Sequence, residues 1–213
     1  MAPNDGVPKI WVCLRPLYYL IIAITLSGCV QLAAPYSEDI DKKASSLQED
    51  FFKFVANMQS QAGKPEGYYL KQSTNYDNFD VQLAVIRLRS EALGGVSCGK
   101  ALVATSTVAQ STFRNSEVAN SLKGMMASPG FGDVTCVTAL SILAQQQMQD
   151  LRSLHQLACQ APAPPRRCQS IFSTAPLFNI INSDQGQAPP VTLTSITINE
   201  IVRQEAMRKP PPK

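Results

Sequence analysis

The chain has 213 residues, 45% of them hydrophobic and 16% charged, with 19 Lys and Arg against 16 Asp and Glu for a net charge of +3. That length fits one domain with appendages, the charge balance is too slight for a dedicated nucleic-acid binder, and the apolar content excludes a wholly disordered chain. A single histidine and no dense acidic cluster exclude most catalytic metal sites, so neither a metal nor a cofactor is expected. At the N-terminus, Lys9 and Arg15 flank the approach to an apolar run, Leu17 to Leu26, closed by Ser27-Gly28-Cys29. The run is about ten residues, against the roughly 20 a helix needs to cross a bilayer core. A charged start, a short apolar middle and small residues at its end are the proportions of a secretory signal peptide over residues 1–28.

Leu26-Ser27-Gly28-Cys29 matches the lipobox of bacterial lipoproteins at all four positions, directly after the apolar run, and this segment resembles that family. The resemblance implies diacylglycerol on the Cys29 thiol, cleavage just before that residue, and usually acylation of the freed amine. It covers the targeting segment and carries nothing about the body. It implies a mature chain of 185 residues (213 minus 28) with a charge of +2 (17 minus 15), because Lys9, Arg15 and Asp5 leave. Two or three buried acyl chains, at about 0.8 kcal/mol per CH₂, hold a protein on a membrane more firmly than one. In proteobacterial lipoproteins an Asp after the lipidated cysteine tends to retain the protein at the inner membrane. Val30 therefore points to the outer membrane, periplasm-facing, in a two-membrane bacterium.

A lipidated tether over 29–35 leads into the clearest helix of the chain. Ser37 suits the N-cap, and Glu38, Asp39 and Asp41 place negative charge at the positive end of the helix dipole. Ile40, Ala44, Leu47, Phe51, Phe54 and Met58 follow in one stripe, with Gly63 and Pro65 as the stop. A second helix is expected from about Asn75 to Leu93 on Tyr76, Phe79, Leu83, Ile86 and Leu93, interrupted by Ser90 and ended by Gly94-Gly95. Residues 96–132, rich in Ala, Ser, Thr and Val, read as a small insertion with weaker helices near Lys100–Phe113 and Glu117–Ala127. The next long helix runs from about Asp133 to Cys159 on Val137, Leu140, Ala144, Leu151, Leu154 and Ala158, with Gln147 as the odd member. A short helix at Ala175–Ile181 precedes a loop. Val191–Ile198 has strand composition yet runs into helical sequence, so the last helix is placed from about Ser195 to Arg208. Lys209 to Lys213 is an extended Pro-rich tail. Amphipathic helices of this length must cover their stripes. The fold class is all-α, an antiparallel helical bundle over 36–208 with a small helical insertion.

Cys13 leaves with the signal peptide and Cys29 is used by lipid, which leaves Cys98, Cys136, Cys159 and Cys168. Export through a lipobox puts these four in an oxidising compartment, where three pairings are open. Cys98 with Cys136 and Cys159 with Cys168 are preferred. Consecutive bundle helices bring the two necks of the insertion together, and the Pro-rich stretch Ala161–Pro165 can double back. Were the insertion a full bundle helix, Cys98 would instead approach Cys159. Zinc is disfavoured, since there is no C-x-x-C pair and His155 stands apart.

Gly95-Val96-Ser97-Cys98-Gly99 satisfies G-x-S-x-G, the nucleophile elbow of α/β-hydrolases. That elbow needs a strand before the serine, whereas a helix precedes it here. Its base would have to be His155, with Asp133 or Asp150 as the orienting acid, yet His155 follows the stripe residue Leu154 and reads as solvated. Glu66, Asp77, Asp80 and Glu91 do not converge by spacing, as carboxylates for glycan hydrolysis must. Arg166-Arg167 reads as a solvated loop, and Phe52 lies off the first helix's stripe. No catalytic residue is therefore assigned. The expected role is binding: an envelope component anchored in the membrane by lipid that holds or scaffolds a periplasmic protein, with no nucleic-acid partner. Neutralisation of a periplasm-delivered toxin by an immunity lipoprotein is an alternative, and an envelope hydrolase using Ser97 and His155 is another.

Overall fold

Ser37 opens the first helix, its Oγ accepting a hydrogen bond from the Ile40 amide, and α1 runs Glu38–Gln61. The computed structural model describes residues 35–61, 63–95, 97–99, 116–128, 133–159 and 190–211, with 131, 168, 171 and 172. Cys13, Cys29, the tether up to residue 34, Arg166-Arg167 and the helices expected over 100–113 and 175–181 lie outside the described residues. All six stripe residues of α1 are buried, and Val55 joins them. A 3₁₀ turn, Pro65–Gly67, reverses the chain into α2, Tyr69–Leu93.

The second helix starts six residues before the expected Asn75. Its buried face is Gln72, Tyr76, Phe79, Leu83, Ile86 and Ser90, so both ends of the stripe are polar and carry no apolar signal. Gln72 is satisfied by donating to the Glu66 carbonyl at 2.7 Å. Gly94, at φ +64°, takes a positive-φ conformation that side-chain-bearing residues rarely adopt, and so ends α2 at low cost. The insertion contributes α3, Ser116–Met126. Thr135 then caps α4, Cys136–Ala158, its hydroxyl accepting from the Thr138 amide, and α5 spans Pro190–Arg208.

The stretch from Val191 to Ile198 is thus helix throughout. Two of its hydroxyl residues are satisfied within the helix, while the buried Thr192 hydroxyl has no hydrogen-bond partner among the described residues. Ser195 donates to the Val191 carbonyl at 2.8 Å, and Thr197 to that of Leu193 at 2.9 Å. Pro190 at the first helical position needs no partner for an absent N–H.

The four long helices close a ring in which α1 packs on α2, α2 on α4, α4 on α5, and α5 on α1. Each neighbour runs antiparallel. Tyr69 at the start of α2 donates its amide to the Cys159 carbonyl at the end of α4, and Ser90 near the end of α2 meets Thr135 at the start of α4. The Ser37 amide reaches Glu205 near the end of α5, and Gln48 of α1 bonds Asn199 of α5. This is the all-α antiparallel bundle, with α3 lying against α4 and α5 as the insertion. Among the described residues no helix is long and apolar enough to cross a membrane.

Both preferred disulfides form. Cys98–Cys136 closes the neck of the insertion, and Cys159–Cys168 closes the loop after α4. Chain entropy assigns about 4 kcal/mol to the first bridge, across a sequence separation of 38, and about 2.6 kcal/mol to the second, across 9. Replacing Cys98 and Cys136 together by Ser is therefore expected to lower the urea midpoint more than replacing Cys159 and Cys168. In the core, Phe54 touches Phe51, Tyr76, Phe79 and Phe172. Phe54→Ala is expected to cost about 3–5 kcal/mol in the same measurement.

Candidate functional site

The bundle has two chemically distinct ends. At the end where α1 begins, three hydroxyls from two helices close a buried ring. Ser90 Oγ lies 2.7 Å from Thr135 Oγ1, Thr138 donates to Ser90 at 3.1 Å, and Thr135 and Thr138 are 2.9 Å apart. The polar interruption at Ser90 is therefore the means by which α2 holds the N-cap of α4. Ser97 sits against this ring, buried, with its backbone bridged to Thr135.

At the opposite end, His155 is fully buried between α4, α2 and the 3₁₀ turn. A carbonyl can only accept, so Nε2–H donates to the Gly67 carbonyl at 2.9 Å. Nδ1 is then the acceptor, and the Tyr76 hydroxyl donates to it at 2.9 Å. Burial holds the imidazole pKa below its ordinary 6.5, against the raising effect of the Gly67 bond. Burial likewise pushes the Tyr76 phenol far up. Three rings enclose the imidazole: Phe172 at 5.0 Å, Tyr76 at 5.7 Å and Tyr69 at 5.8 Å between centroids. Arg152 donates to the Tyr69 hydroxyl at 2.8 Å and lies over its ring.

This placement corrects the reading of His155 as solvated and Leu154 as core, since Leu154 is 39% exposed. A strict 3-4 alternation drifts around a straight helix. The buried face of α4 follows Ala144, Met148, Leu151 and His155 instead, because Tyr76 and Gly67 wait there with hydrogen bonds. The same placement separates Ser97 from His155. Thr135, the bridge partner of Ser97, is twenty residues before His155 along α4, about 30 Å at 1.5 Å per residue. With both imidazole nitrogens engaged at the far end, the pair forms no nucleophile–base couple. Of its proposed orienting acids, Asp133 and Asp150 are both exposed.

Nor do the carboxylates face one another across a cleft. Asp77 and Asp80 share Arg152, at 2.9 and 3.7 Å, and burial raises the Asp80 pKa against the pull of that arginine. Glu91 pairs with Arg87 at the other end of α2, and Glu66 is exposed on the 3₁₀ turn. Phe52 is half-buried. Between α1 and α2 lies an open groove of about 440 Å³, lined by Asp50, Lys53, Asn57, Asn75, Asn78 and Gln82 above Phe54 and Phe79. Gln82 donates to Asp50 across it at 3.2 Å, and Asn75 to Gln72 at 2.7 Å.

Sequence reasoning missed Phe172, which the Cys159–Cys168 bridge carries onto Phe54 and His155. It also missed the acidic residues buried in α5. Glu200 is held by Arg203 and Gln204, and Glu205 by Arg208 at 2.7 Å and the Ser37 amide. Burial raises the Glu205 pKa above its ordinary value despite those partners. No family model, curated protein or solved structure matches the chain.

The neutral imidazole has a pH signature. Its pKa is lowered by folding, so the unfolded chain takes up the proton first, and the contribution of His155 is complete above about pH 6.5 and lost as pH falls from there toward the folded value. Urea unfolding at a series of pH values should show that loss, and a His155→Asn variant should flatten it. Tyr76→Phe leaves Nδ1 buried without a donor and is expected to cost about 1–3 kcal/mol.

Proposed function

We propose that this protein is a lipid-anchored component of a bacterial cell envelope that binds another protein on the periplasmic side of the membrane. The observation that carries the reading is the sequence Leu26-Ser27-Gly28-Cys29 after an apolar run too short to span a bilayer. Two paired cysteine sets suit an oxidising compartment. Cys29 stands nine residues before Glu38, so the tether allows at most about 32 Å between the lipidated residue and the start of α1.

The fold supports a binding role at the end away from that tether. Leu70 is 84% exposed and Leu157 78% exposed, and the Tyr69 to Cys159 hydrogen bond places both at the end of the bundle opposite to the first turn of α1. Large apolar side chains at that end would be available to a partner reached across the periplasm.

Cys29→Ser is expected to abolish palmitate incorporation and leave an unprocessed precursor in whole-cell labelling; a labelled or correctly cleaved variant would overturn the anchoring. For the partner, a photocrosslinking amino acid at Leu70 or Leu157 should yield one common adduct in envelope preparations, while the same probe at Lys42 should not. Adducts that are absent at both positions, or equal at all three, would count against a binding face at this end.

A further inference from the structure

The end that holds His155 also collects two sulfurs. His155, Cys159 and Cys168 are all buried, and one donor atom from each, a ring nitrogen and two Sγ atoms, lies within 4.8 Å of the others. His155 and Cys159 are four residues apart at the end of α4 and so share a face. Cys168 arrives from the following loop, and its Sγ approaches the Gly67 carbonyl at 3.9 Å, the same oxygen that accepts from His155 Nε2. The absence of a C-x-x-C pair is thus made good by the fold, which brings together one nitrogen and two sulfurs from positions that sequence spacing does not link.

We propose that this cluster is a redox-gated site for a soft divalent cation, with Zn²⁺ as its representative ligand. The disulfide closes the site, because neither sulfur is a thiolate. A dithiol reductant opens it by exchange: the Cys159–Cys168 bond breaks, both sulfurs take up hydrogen, and the reductant leaves as its own disulfide. Zn²⁺ then binds the two sulfurs and the imidazole and releases two protons to solvent.

Tetrahedral zinc with Zn–S of about 2.3 Å and Zn–N of about 2.0 Å requires S···S near 3.8 Å and N···S near 3.5 Å. The N···S distance falls inside the 4.8 Å that bounds the three atoms, and reduction frees the two sulfurs, now bonded to each other, to separate to the S···S distance. The fourth position falls to the Gly67 carbonyl or a water. Metal on Nε2 displaces its proton to Nδ1, which then donates to the Tyr76 oxygen now 2.9 Å away. Tyr76 thereby becomes the outer partner that fixes the tautomer and orientation of a ligating histidine. Phe172, Tyr69 and Tyr76 hold the ring in place before any metal arrives.

The test uses the exported protein carrying Cys98→Ser and Cys136→Ser, so that the remaining pair is the one titrated. After anaerobic reduction with a phosphine, it is expected to take up one equivalent of Zn²⁺ in competition with a chromophoric chelator. Co²⁺ in its place should give thiolate-to-cobalt charge transfer and the visible bands of a tetrahedral ion. Unreduced protein should bind neither. Tyr76→Phe should keep the stoichiometry and weaken Zn²⁺ binding 10- to 100-fold. His155→Gln should remove the nitrogen ligand and shift the Co²⁺ bands. Failure of the reduced protein to bind, or Co²⁺ spectra unchanged by His155→Gln, would overturn the site. If reduction unfolds the bundle, recovery of helical circular dichroism on adding Zn²⁺ supports the site, and no recovery overturns it.

Discussion

The bundle depends on one buried imidazole. His155 joins three pieces of chain that are far apart in sequence: the turn at Gly67, the first half of α2 through Tyr76, and the last turn of α4. A neutral histidine has one donor and one acceptor, and both are used here without placing a charge in the interior. No aliphatic residue would satisfy the Gly67 carbonyl, and a lysine or carboxylate would bring an unpaired charge. The remaining contacts of that end are arranged around this ring. Phe172 packs on it because the Cys159–Cys168 bridge returns the chain, and Phe54 then links Phe172 and Tyr76 to the phenylalanines of α1.

The low charge content of the chain has a counterpart inside it. Hydroxyl and amide groups take positions on buried faces that an ordinary bundle fills with leucine. Most find a near partner: Ser90, Thr135 and Thr138 find one another, and Ser141, Ser195 and Thr197 bond the carbonyl four residues back, while the Thr192 hydroxyl has none among the described residues. Glu200 and Glu205 are buried with arginines three residues on. Breaking such a pair leaves a buried charge without its partner, which is strongly destabilising. The two ends are fastened by different means, a hydroxyl ring with one disulfide where α1 begins, and an aromatic–imidazole cluster with the other disulfide at the far end.

Much of this was legible in the sequence because local rules carry it. The stripe of α1 and its Ser37 cap lie within one helix, and capping and 3.6-residue periodicity require nothing from elsewhere. The glycine stop after Leu93 and the pairing of Cys98 with Cys136 and Cys159 with Cys168 followed from equally local signals, helped by the short reach between consecutive bundle helices. Errors arose where a partner in another element decided the outcome. Gln72 occupies a buried position on α2 because the Glu66 carbonyl stands beside it, so the start of that helix carried no apolar signal. The strand-like Val191–Ile198 is helix because α1 and α4 cover it on two sides, and tertiary burial outweighs β-propensity.

The candidate site shows the same division more sharply. By itself the sequence determined that the chain carries a lipobox-like segment, that it builds long amphipathic helices, and that four cysteines remain to be paired. Each of these is a property of neighbouring residues. The tertiary structure decided that His155 faces inward rather than outward, that Ser97 stands some 30 Å along α4 from it, and that two sulfurs and a nitrogen share one buried corner. Periodicity marks which face of a helix is apolar, but a single rotation of about one residue separates Leu154 from His155. That rotation is set by which neighbour offers a hydrogen bond, and Tyr76 lies 79 positions away in the chain.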